Sequence, residues 1–151
     1  MIFRLRRARV LFPLLGFAAV GYAALVGGLY LFQRQLLYLP DRTRPELAGL
    51  AELGVREVTL STEDGLSLLS WYLPPRPGQP VIAYFHGNGG HIGYRVERLL
   101  RFAREGFGVL MAEYRGYGGN PGAPSETGFY TDGRAAERHY PTRAGLIANA
   151  D

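Results

Sequence analysis

A run of 23 residues without one charge, "VLFPLLGFAAVGYAALVGGLYLF", extends from Val10 to Phe32. At a rise of about 1.5 Å per residue, a helix of this length crosses the roughly 30 Å hydrocarbon core of a bilayer. A cleaved signal peptide is the alternative, but its apolar region is usually only about 7 to 15 residues long. We therefore expect residues 10–32 to form a single membrane-spanning anchor in contact with the lipid bilayer.

The basic residues are distributed unevenly about this run. All 17 are arginines, and four of them, Arg4, Arg6, Arg7 and Arg9, lie in a basic tail at residues 1–9. The 13 arginines that follow are balanced by 13 acidic residues, so the net charge of +4 comes from the tail. This is not the charge distribution of a nucleic-acid-binding protein. The positive tail predicts a cytoplasmic N-terminus and an extracytoplasmic C-terminal part, as in a bacterial inner-membrane protein.

Residues 33–54 follow the anchor and contain two prolines that disfavour regular structure. We expect a juxtamembrane linker here, in which Leu36, Leu37 and Tyr38 contact either the membrane surface or the domain that follows.

Strand and helix patterns alternate through residues 55–140. Residues 55–62 and 66–75 predict a β-hairpin with its turn at residues 63–65. The elements predicted next are a buried strand at 81–85, a helix at 94–106, a strand at 107–114 and a weaker helix at 126–140, which Ser125 caps. The strand, helix and strand have the lengths of a parallel crossover. The sequence thus predicts an α/β fold, a hairpin followed by a parallel βαβ unit, after one transmembrane helix. Residues 141–151 form a divergent tail.

The sequence "YFHGNGG", residues 84–90, joins the buried strand to the first predicted helix of the domain. A phosphate-binding P-loop is excluded because it needs a lysine and the chain has none. A dinucleotide-binding loop is a weak match, since Gly87, Gly89, Gly90 and Gly93 are one residue out of register, although Glu113 stands where an acid would bind the ribose. The third interpretation is an oxyanion loop, whose backbone N–H groups point at the oxygen that becomes charged in acyl transfer.

The histidines do not indicate a metal site. His86 and His91 are five residues apart, which places them on different faces of a helix, and no carboxylate near them in sequence completes a ligand set. The chain also contains no cysteine, which excludes thiolate ligands and disulfides. We expect no metal or cofactor, with His86 hydrogen-bonded to nearby backbone at the strand end and with His91 and His139 as surface or capping residues.

Three segments in order carry a resemblance to a known family. They are "LLYLP" at 36–40, "HGNGG" at 86–90 and "YRGYGGNPGAPSETG" at 114–128. The corresponding family pattern is "LLYxP", "HGNxG" and "YRGYGxSxGxPSExG". Residues 33–136 therefore resemble the N-terminal half of α/β-hydrolase-fold serine hydrolases, in particular the membrane-anchored alpha/beta-hydrolase-domain and Bem46-like group. Glu113 departs from this pattern, because the family usually has aspartate there.

The resemblance implies a doubly wound α/β sheet and a partial α/β-hydrolase fold. It also implies that the backbone N–H of Asn88 forms half of an oxyanion hole, with Gly87 and Gly89 beside it in the binding loop. Full-length relatives would act on a small acyl-type substrate by ester, thioester or amide hydrolysis.

The nucleophile of this fold lies in a G-x-S-x-G turn, followed along the chain by an acid and a histidine. None of the four serines, Ser61, Ser67, Ser70 and Ser125, has glycine two residues before and after it. No residue of this chain can therefore be assigned as nucleophile, and His86 precedes the position that a catalytic base would have.

Two hypotheses follow from these observations. The chain is either the N-terminal fragment of a membrane-anchored hydrolase, inactive alone, or a non-catalytic half-domain that pairs with a complementing chain. In the family's strand order, residues 81–85 would form an exposed apolar edge here, so we expect the segment from Gln33 to Asp151 to aggregate or be molten without its anchor.

Overall fold

A computed structural model describes residues 2–139, with side chains from residue 12 onward. Two compact units meet in sequence between Leu37 and Tyr38. The first is a single helix, α1, Ile2–Leu37. The predicted tail at 141–151 lies outside the described residues.

Helix α1 contains the predicted anchor and is longer than predicted. Its segment Phe12–Leu37 has the length and mean hydropathy, 1.8, of a membrane span, and none of that segment is buried. A signal sequence passes the same test, so the segment is a candidate span on length and composition alone. The boundary predicted at residue 33 was wrong as a helix end, because residues 33–37 are helical. Nothing in "QRQLL" breaks a helix, and glutamine, arginine and leucine all favour one.

The second unit contains a four-stranded mixed sheet and a two-stranded one. The strands are β1, Leu39–Pro40; β2, Arg56–Ser61; β3, Ser67–Leu73; β4, Val81–Phe85; β5, Gly89–Gly90; and β6, Gly108–Ala112. The main sheet has the order β2-β3-β6-β4, in which only β4 and β6 are parallel. The predicted hairpin and the predicted parallel pair are therefore both confirmed. The antiparallel pairing of β3 with β6, which joins them into one sheet, was not predicted.

One face of this sheet packs against helix α2, Val96–Arg104. The helical spacing predicted this packing, and Leu99 is fully buried in the core on this side. A short 3-10 helix, Ile92–Arg95, precedes α2. Gly106 lies just after the end of α2 with φ +89°, a conformation that favours glycine. Its N–H donates a hydrogen bond to the carbonyl of Ala103. The core cluster on this face consists of Leu50, Val55, Trp71, Leu73, Tyr84, Ile92, Leu99, Val109 and Met111.

The other face packs against helix α3, Glu126–His139, through Ala135 and Ala136. Ser125 Oγ accepts a hydrogen bond of 3.1 Å from the N–H of Gly128, which confirms the predicted N-cap. Successive residues of β6 enter the two cores alternately, as strand geometry requires, and all of them are buried. The domain thus has three layers, one helix on each face of the sheet.

Strand β4 is an edge strand in the described part of the chain, where its partner is β6 alone. Its side chains are nevertheless apolar, and Val81, Ile82 and Tyr84 are buried. The exposed apolar edge expected at residues 81–85 is therefore present among the described residues. Such an edge presents unpaired backbone donors and acceptors to another chain.

Candidate active-site loop

The loop that follows β4 begins with a buried histidine. The Nδ1 atom of His86 lies 2.7 Å from the carbonyl oxygen of Gly87, which confirms the predicted bond to nearby backbone. Because a carbonyl oxygen only accepts, Nδ1 carries the proton in this contact. The ring thereby fixes the orientation of the peptide that joins Gly87 to Asn88.

The other ring nitrogen contacts a buried acid that the sequence did not identify as its partner. His86 Nε2 lies 2.5 Å from Glu113 Oε1, and neither side chain is exposed (0 % each). Glu113 Oε2 also accepts from the N–H of Ile92 at 2.8 Å, and Oε1 from that of Tyr114 at 3.1 Å. Both ring nitrogens are thus engaged, and the ring cannot turn without breaking one of these contacts.

The carbonyl group of Asn88 is also held by hydrogen bonds. It accepts from the N–H of Leu39 at 2.9 Å and from the hydroxyl of Tyr117 at 2.9 Å. Strand β1 runs parallel to β5, and the N–H of Asp41 adds a bond of 3.2 Å to the carbonyl of Gly90. We call residues 38–41 the strap. The part of the predicted linker that follows α1 therefore pairs with the glycine loop.

These contacts determine where the backbone N–H of Asn88 points. In a trans peptide the C=O and N–H groups point in opposite directions, and the described residues contain no cis peptide. The carbonyl of Gly87 faces the His86 ring, so the N–H of Asn88 faces away from it. A side chain added at Gly87 or Gly89 would meet no atom within 4 Å, so a ligand has room to approach this backbone.

Aromatic rings surround the loop. Tyr114 and Tyr117 lie edge-on to His86, at 5.0 Å and 5.2 Å between ring centroids, and Tyr38 of the strap lies edge-on to Phe129 of α3 at 5.1 Å. Burial raises the pKa of both Tyr114 and Tyr117 to about 12. Both therefore stay protonated near neutral pH, and Tyr117 donates to the Asn88 carbonyl throughout that range.

Asp41 connects the strap to the segment that precedes α2. Its Oδ2 accepts from the hydroxyl of Tyr94 at 2.7 Å, and its Oδ1 accepts from both the N–H and the hydroxyl of Thr43. The hydrogen bond from Tyr94 contributes most to lowering the pKa of Asp41 from 3.8 to about 2. His91 Nε2 lies 3.7 Å away, and its ring stacks on Tyr94 at 4.4 Å. Asp41 is thus ionised at neutral pH and holds the strap in place.

The predicted role of His91 is confirmed in part. Its Nδ1 accepts from the N–H of Gly93 at 3.0 Å and so caps the 3-10 helix, but the side chain is buried and does not lie on the surface. Each histidine does lie near a carboxylate, His86 near Glu113 and His91 near Asp41. The sequence did not indicate these pairs because their members are far apart along the chain. The two pairs stay separate, and the described residues contain no group of three or more metal-ligating side chains.

The position of Glu113 excludes the dinucleotide-binding interpretation of the glycine loop. A ribose ligand needs a carboxylate with free oxygens, whereas this one is buried and accepts from His86, Ile92 and Tyr114.

The serines occupy structural positions. Ser70 is buried in β3, where its Oγ accepts from the N–H of Glu113 at 3.1 Å, and Ser125 caps α3. Ser61 and Ser67 are exposed at the two ends of the hairpin turn. Neither His86 nor His91 hydrogen-bonds to a serine in the described residues.

Arg115 braces the region behind the loop. Its guanidinium binds Asp132 of α3 at 2.8 Å and Asp64 of the hairpin turn at 2.7 Å, and Asp132 also accepts from the N–H of Arg115. The hydrogen bonds from Arg115 hold the pKa of Asp64 well below its usual range. Arg115 thereby joins the segment after β6 to the hairpin and to α3.

Comparison with known proteins shows what the chain is similar to. No protein-family model matches the chain. It is 36 % identical over 135 residues to an uncharacterised protein of Mycobacterium tuberculosis, a match that covers 88 % of this chain and 48 % of that protein. It is 30 % identical to the alpha/beta hydrolase domain-containing protein WAV2 of Arabidopsis thaliana, a match that covers 87 % of this chain and 44 % of WAV2. It is also 30 % identical to protein bem46 of Schizosaccharomyces pombe, over 74 % of this chain and 40 % of bem46.

The chain matches the N-terminal half of Bem46-like α/β-hydrolase-fold proteins. It spans about half the length of the curated relatives it matches.

A solved structure agrees with this fold. An esterase of Pyrococcus furiosus matches it with a TM-score of 0.53 and 20 % identity, over 74 % of this chain and 46 % of the esterase. At this identity the match demonstrates the α/β-hydrolase fold alone. Gly87, Asn88 and Gly89, the site residues predicted from the resemblance, lie in the loop that His86, Tyr117 and the strap hold.

Proposed function

We propose that this chain is the N-terminal part of a membrane-anchored serine hydrolase, in which the backbone N–H of Asn88 stabilises the oxyanion of acyl transfer. The substrate class is a small ester, thioester or amide. The nucleophile, the acid and the base would come from sequence that this chain does not contain, so the chain alone is inactive. Helix α1 anchors it, with the N-terminus in the cytoplasm and the domain outside the cytoplasm, at a bacterial inner membrane.

One observation carries the proposal: both peptides that flank Asn88 are held by hydrogen bonds. His86 holds the carbonyl of Gly87, while Leu39 and Tyr117 hold that of Asn88. An oxyanion hole is effective because its donors are already aligned before charge develops, and the fixed peptides on both sides of Asn88 support such a role. The proposed membrane anchoring is supported by the apolar segment of α1. It is also supported by a Saccharomyces cerevisiae relative, 29 % identical, that is named a membrane protein.

A covalent probe tests the claim that the chain alone is inactive. A fluorophosphonate reacts with activated serines, and neither His86 nor His91 hydrogen-bonds to a serine among the described residues. We expect no adduct on the purified full chain, measured by intact mass. A stoichiometric adduct on any serine would refute this part of the proposal.

The role of the Asn88 N–H can be tested in a fusion of this chain with the C-terminal half of the Mycobacterium tuberculosis relative. Asn88→Pro removes the N–H, whereas Asn88→Ala removes only the side chain. If the fusion hydrolyses p-nitrophenyl butyrate, we expect Asn88→Pro to lower kcat by about 10²- to 10³-fold and Asn88→Ala to lower it by less than about threefold. Equal losses in the two variants would argue against the backbone role.

A second candidate function rests on the unpaired edge of β4. In this alternative the chain is a non-catalytic, membrane-anchored half-domain, and a complementing chain adds a strand to that edge. The DNA immediately downstream separates the two candidates. A G-x-S-x-G sequence in another reading frame would favour the hydrolase fragment, and an unrelated gene at that position would favour the stand-alone half-domain.

A further inference from the structure

The second unit has an open apolar cleft far from the glycine loop. Its volume is about 420 Å³, and its apolar walls include Leu53, Leu73, Leu100 and Phe107. Phe107 precedes β6 and Leu73 ends the antiparallel β3, whereas Glu113 follows β6. The cleft and the loop therefore lie at opposite ends of the sheet. Leu53 is exposed, so apolar surface at the cleft remains in contact with solvent.

Two arginines, Arg76 and Arg104, also line this cleft, and no carboxylate does. Both side chains are exposed, and neither forms an ion pair within the described residues. The stem of Arg76 lies along the wall, since its Cδ is 3.0 Å from the position that a Cβ on Gly106 would take. Arginine commonly lays its apolar stem on a hydrophobic surface and keeps its charged end in water. The cleft thus combines apolar walls with unpaired positive charge.

We infer that this cleft binds the acyl chain of a free fatty acid, whose carboxylate pairs with Arg76 and Arg104. A guanidinium matches a carboxylate through two parallel hydrogen bonds, and the walls bury the hydrocarbon. The volume is at the low end for small-ligand sites, which suits one acyl chain better than the two of a phospholipid. The membrane-span candidate in α1 also favours an occupant that is abundant at membranes. This binding does not depend on the proposed hydrolase function.

Photolabelling of the full chain in phosphatidylcholine vesicles tests this inference. The probe is palmitic acid with a diazirine near the end of its chain, and labelled peptides are mapped by mass spectrometry relative to labelling of α1. We expect labelling of residues 99–107 that excess palmitate suppresses and that hexadecanol, which lacks the carboxylate, does not. Equal suppression by the alcohol, or labelling confined to α1, would overturn the inference.

Substitutions add a second criterion. The double change Arg76→Gln and Arg104→Gln is expected to lower cleft labelling about fivefold to tenfold, because each exposed pair contributes modestly. Arg101→Gln is the matched control, since Arg101 is exposed on α2 but does not line the cleft. Circular dichroism identifies any variant that fails to fold. In that case the suppression of wild-type labelling by palmitate, but not by hexadecanol, decides the question. Suppression by phosphatidylglycerol but not by palmitate would replace the fatty acid with a phospholipid and so overturn the proposal.

Discussion

The contact between His86 and Glu113 is completely buried. A buried charge is costly unless it is paired and hydrogen-bonded, and Glu113 satisfies this condition with three donors. Two of those donors are backbone N–H groups, from Ile92 and Tyr114. Glu113 therefore joins the end of β4, the start of the 3-10 helix and the segment that follows β6.

The substitution Glu113→Gln tests the importance of these bonds. One oxygen of the acid is lost, so a buried N–H loses its acceptor, and we expect the free energy of unfolding to fall by about 1–3 kcal/mol. The fluorescence of Trp71, the only tryptophan, reports urea unfolding of the full chain in detergent. Glu57→Gln is the control, because it changes an ion pair with the exposed Arg44, and we expect less than about 1 kcal/mol there. Equal losses at the two positions would contradict the argument.

Gly118 lies so close to Glu113 that a side chain does not fit. Its φ is +55°, and a Cβ there would lie 2.6 Å from Glu113 Oε2. We expect Gly118→Ala to destabilise the fold by about 1–3 kcal/mol, in the same unfolding assay. For Gly133→Ala we expect the free energy of unfolding to rise by about 0.5–1 kcal/mol. Gly133 lies within α3, and no atom lies within 4 Å of the new methyl group. Equal effects of the two changes would be inconsistent with the close contact.

The strap contains strand β1, which has only two residues and pairs directly with the glycine loop. Its β1 residues pair with only two glycines, and Asp41 anchors its end to Tyr94 and Thr43. A two-residue pairing is too small to be stable without such support. The ionised carboxylate of Asp41 is therefore part of what keeps the loop in its observed geometry.

Acid should loosen the strap in a defined pH range. The hydrogen bond from Tyr94 is the main cause of the lowered pKa of Asp41, about 2 against an ordinary value of 3.8. Because the pKa of Asp41 is lowered in the folded state, its carboxylate stabilises the strap fully above about pH 4, and this stabilisation is lost as the pH falls toward about 2. We expect the hydrogen-exchange protection factors of the Leu39 and Asp41 amides to drop by about threefold to tenfold across that range.

Asp41→Asn provides the comparison for this titration. The variant should show lower protection of the same amides at neutral pH, and protection that does not change between pH 4 and pH 2. A titration that persists in the variant would show that another group is responsible.

Local patterns in the sequence predicted the elements of the domain well. The β-hairpin, α2 and its buried face, the parallel strands and the Ser125 cap all depend on residues within a few positions of one another. The end of α1 was missed because the prediction stopped at the polar residues Gln33 and Arg34, which a helix readily accommodates. The partners of the loop were missed for a different reason: Glu113 is 27 residues from His86, and Tyr94 is 53 from Asp41. Such contacts follow from the tertiary fold and leave no spacing signal in a single sequence.

Two strands, β2 and β4, form the edges of the main sheet in the described domain. Strand β4 is apolar and partly buried, yet its outer edge has no strand partner among the described residues. Both proposed functions assign that edge to further sequence, either the rest of a hydrolase or a second chain. The open edge also has a consequence for the isolated domain.

We expect the segment from Gln33 to Asp151, expressed without the anchor, to aggregate or be molten. An unprotected apolar edge strand associates with other copies, and a lysine on such an edge reduces association. Ala83 of β4 is half-buried, so Ala83→Lys should raise the soluble fraction, measured by size-exclusion chromatography. Exposed Thr127→Lys on α3 is the matched control, because it adds the same charge away from both edges of the sheet, and it should not raise the soluble fraction. A sharp cooperative melt with dispersed amide shifts from the unmodified segment would disprove the expectation.

The strap also bears on the order in which the chain is made. Asp41 leaves the ribosome 53 residues before Tyr94, its partner, and at about 5–20 residues per second that interval lasts roughly 3–10 s. Tyr117, which fixes the Asn88 carbonyl, is made 29 residues after Asn88. The strap is therefore present early in translation but has nothing to bind for several seconds. The glycine loop reaches its final geometry only once the segment after β6 has been synthesised.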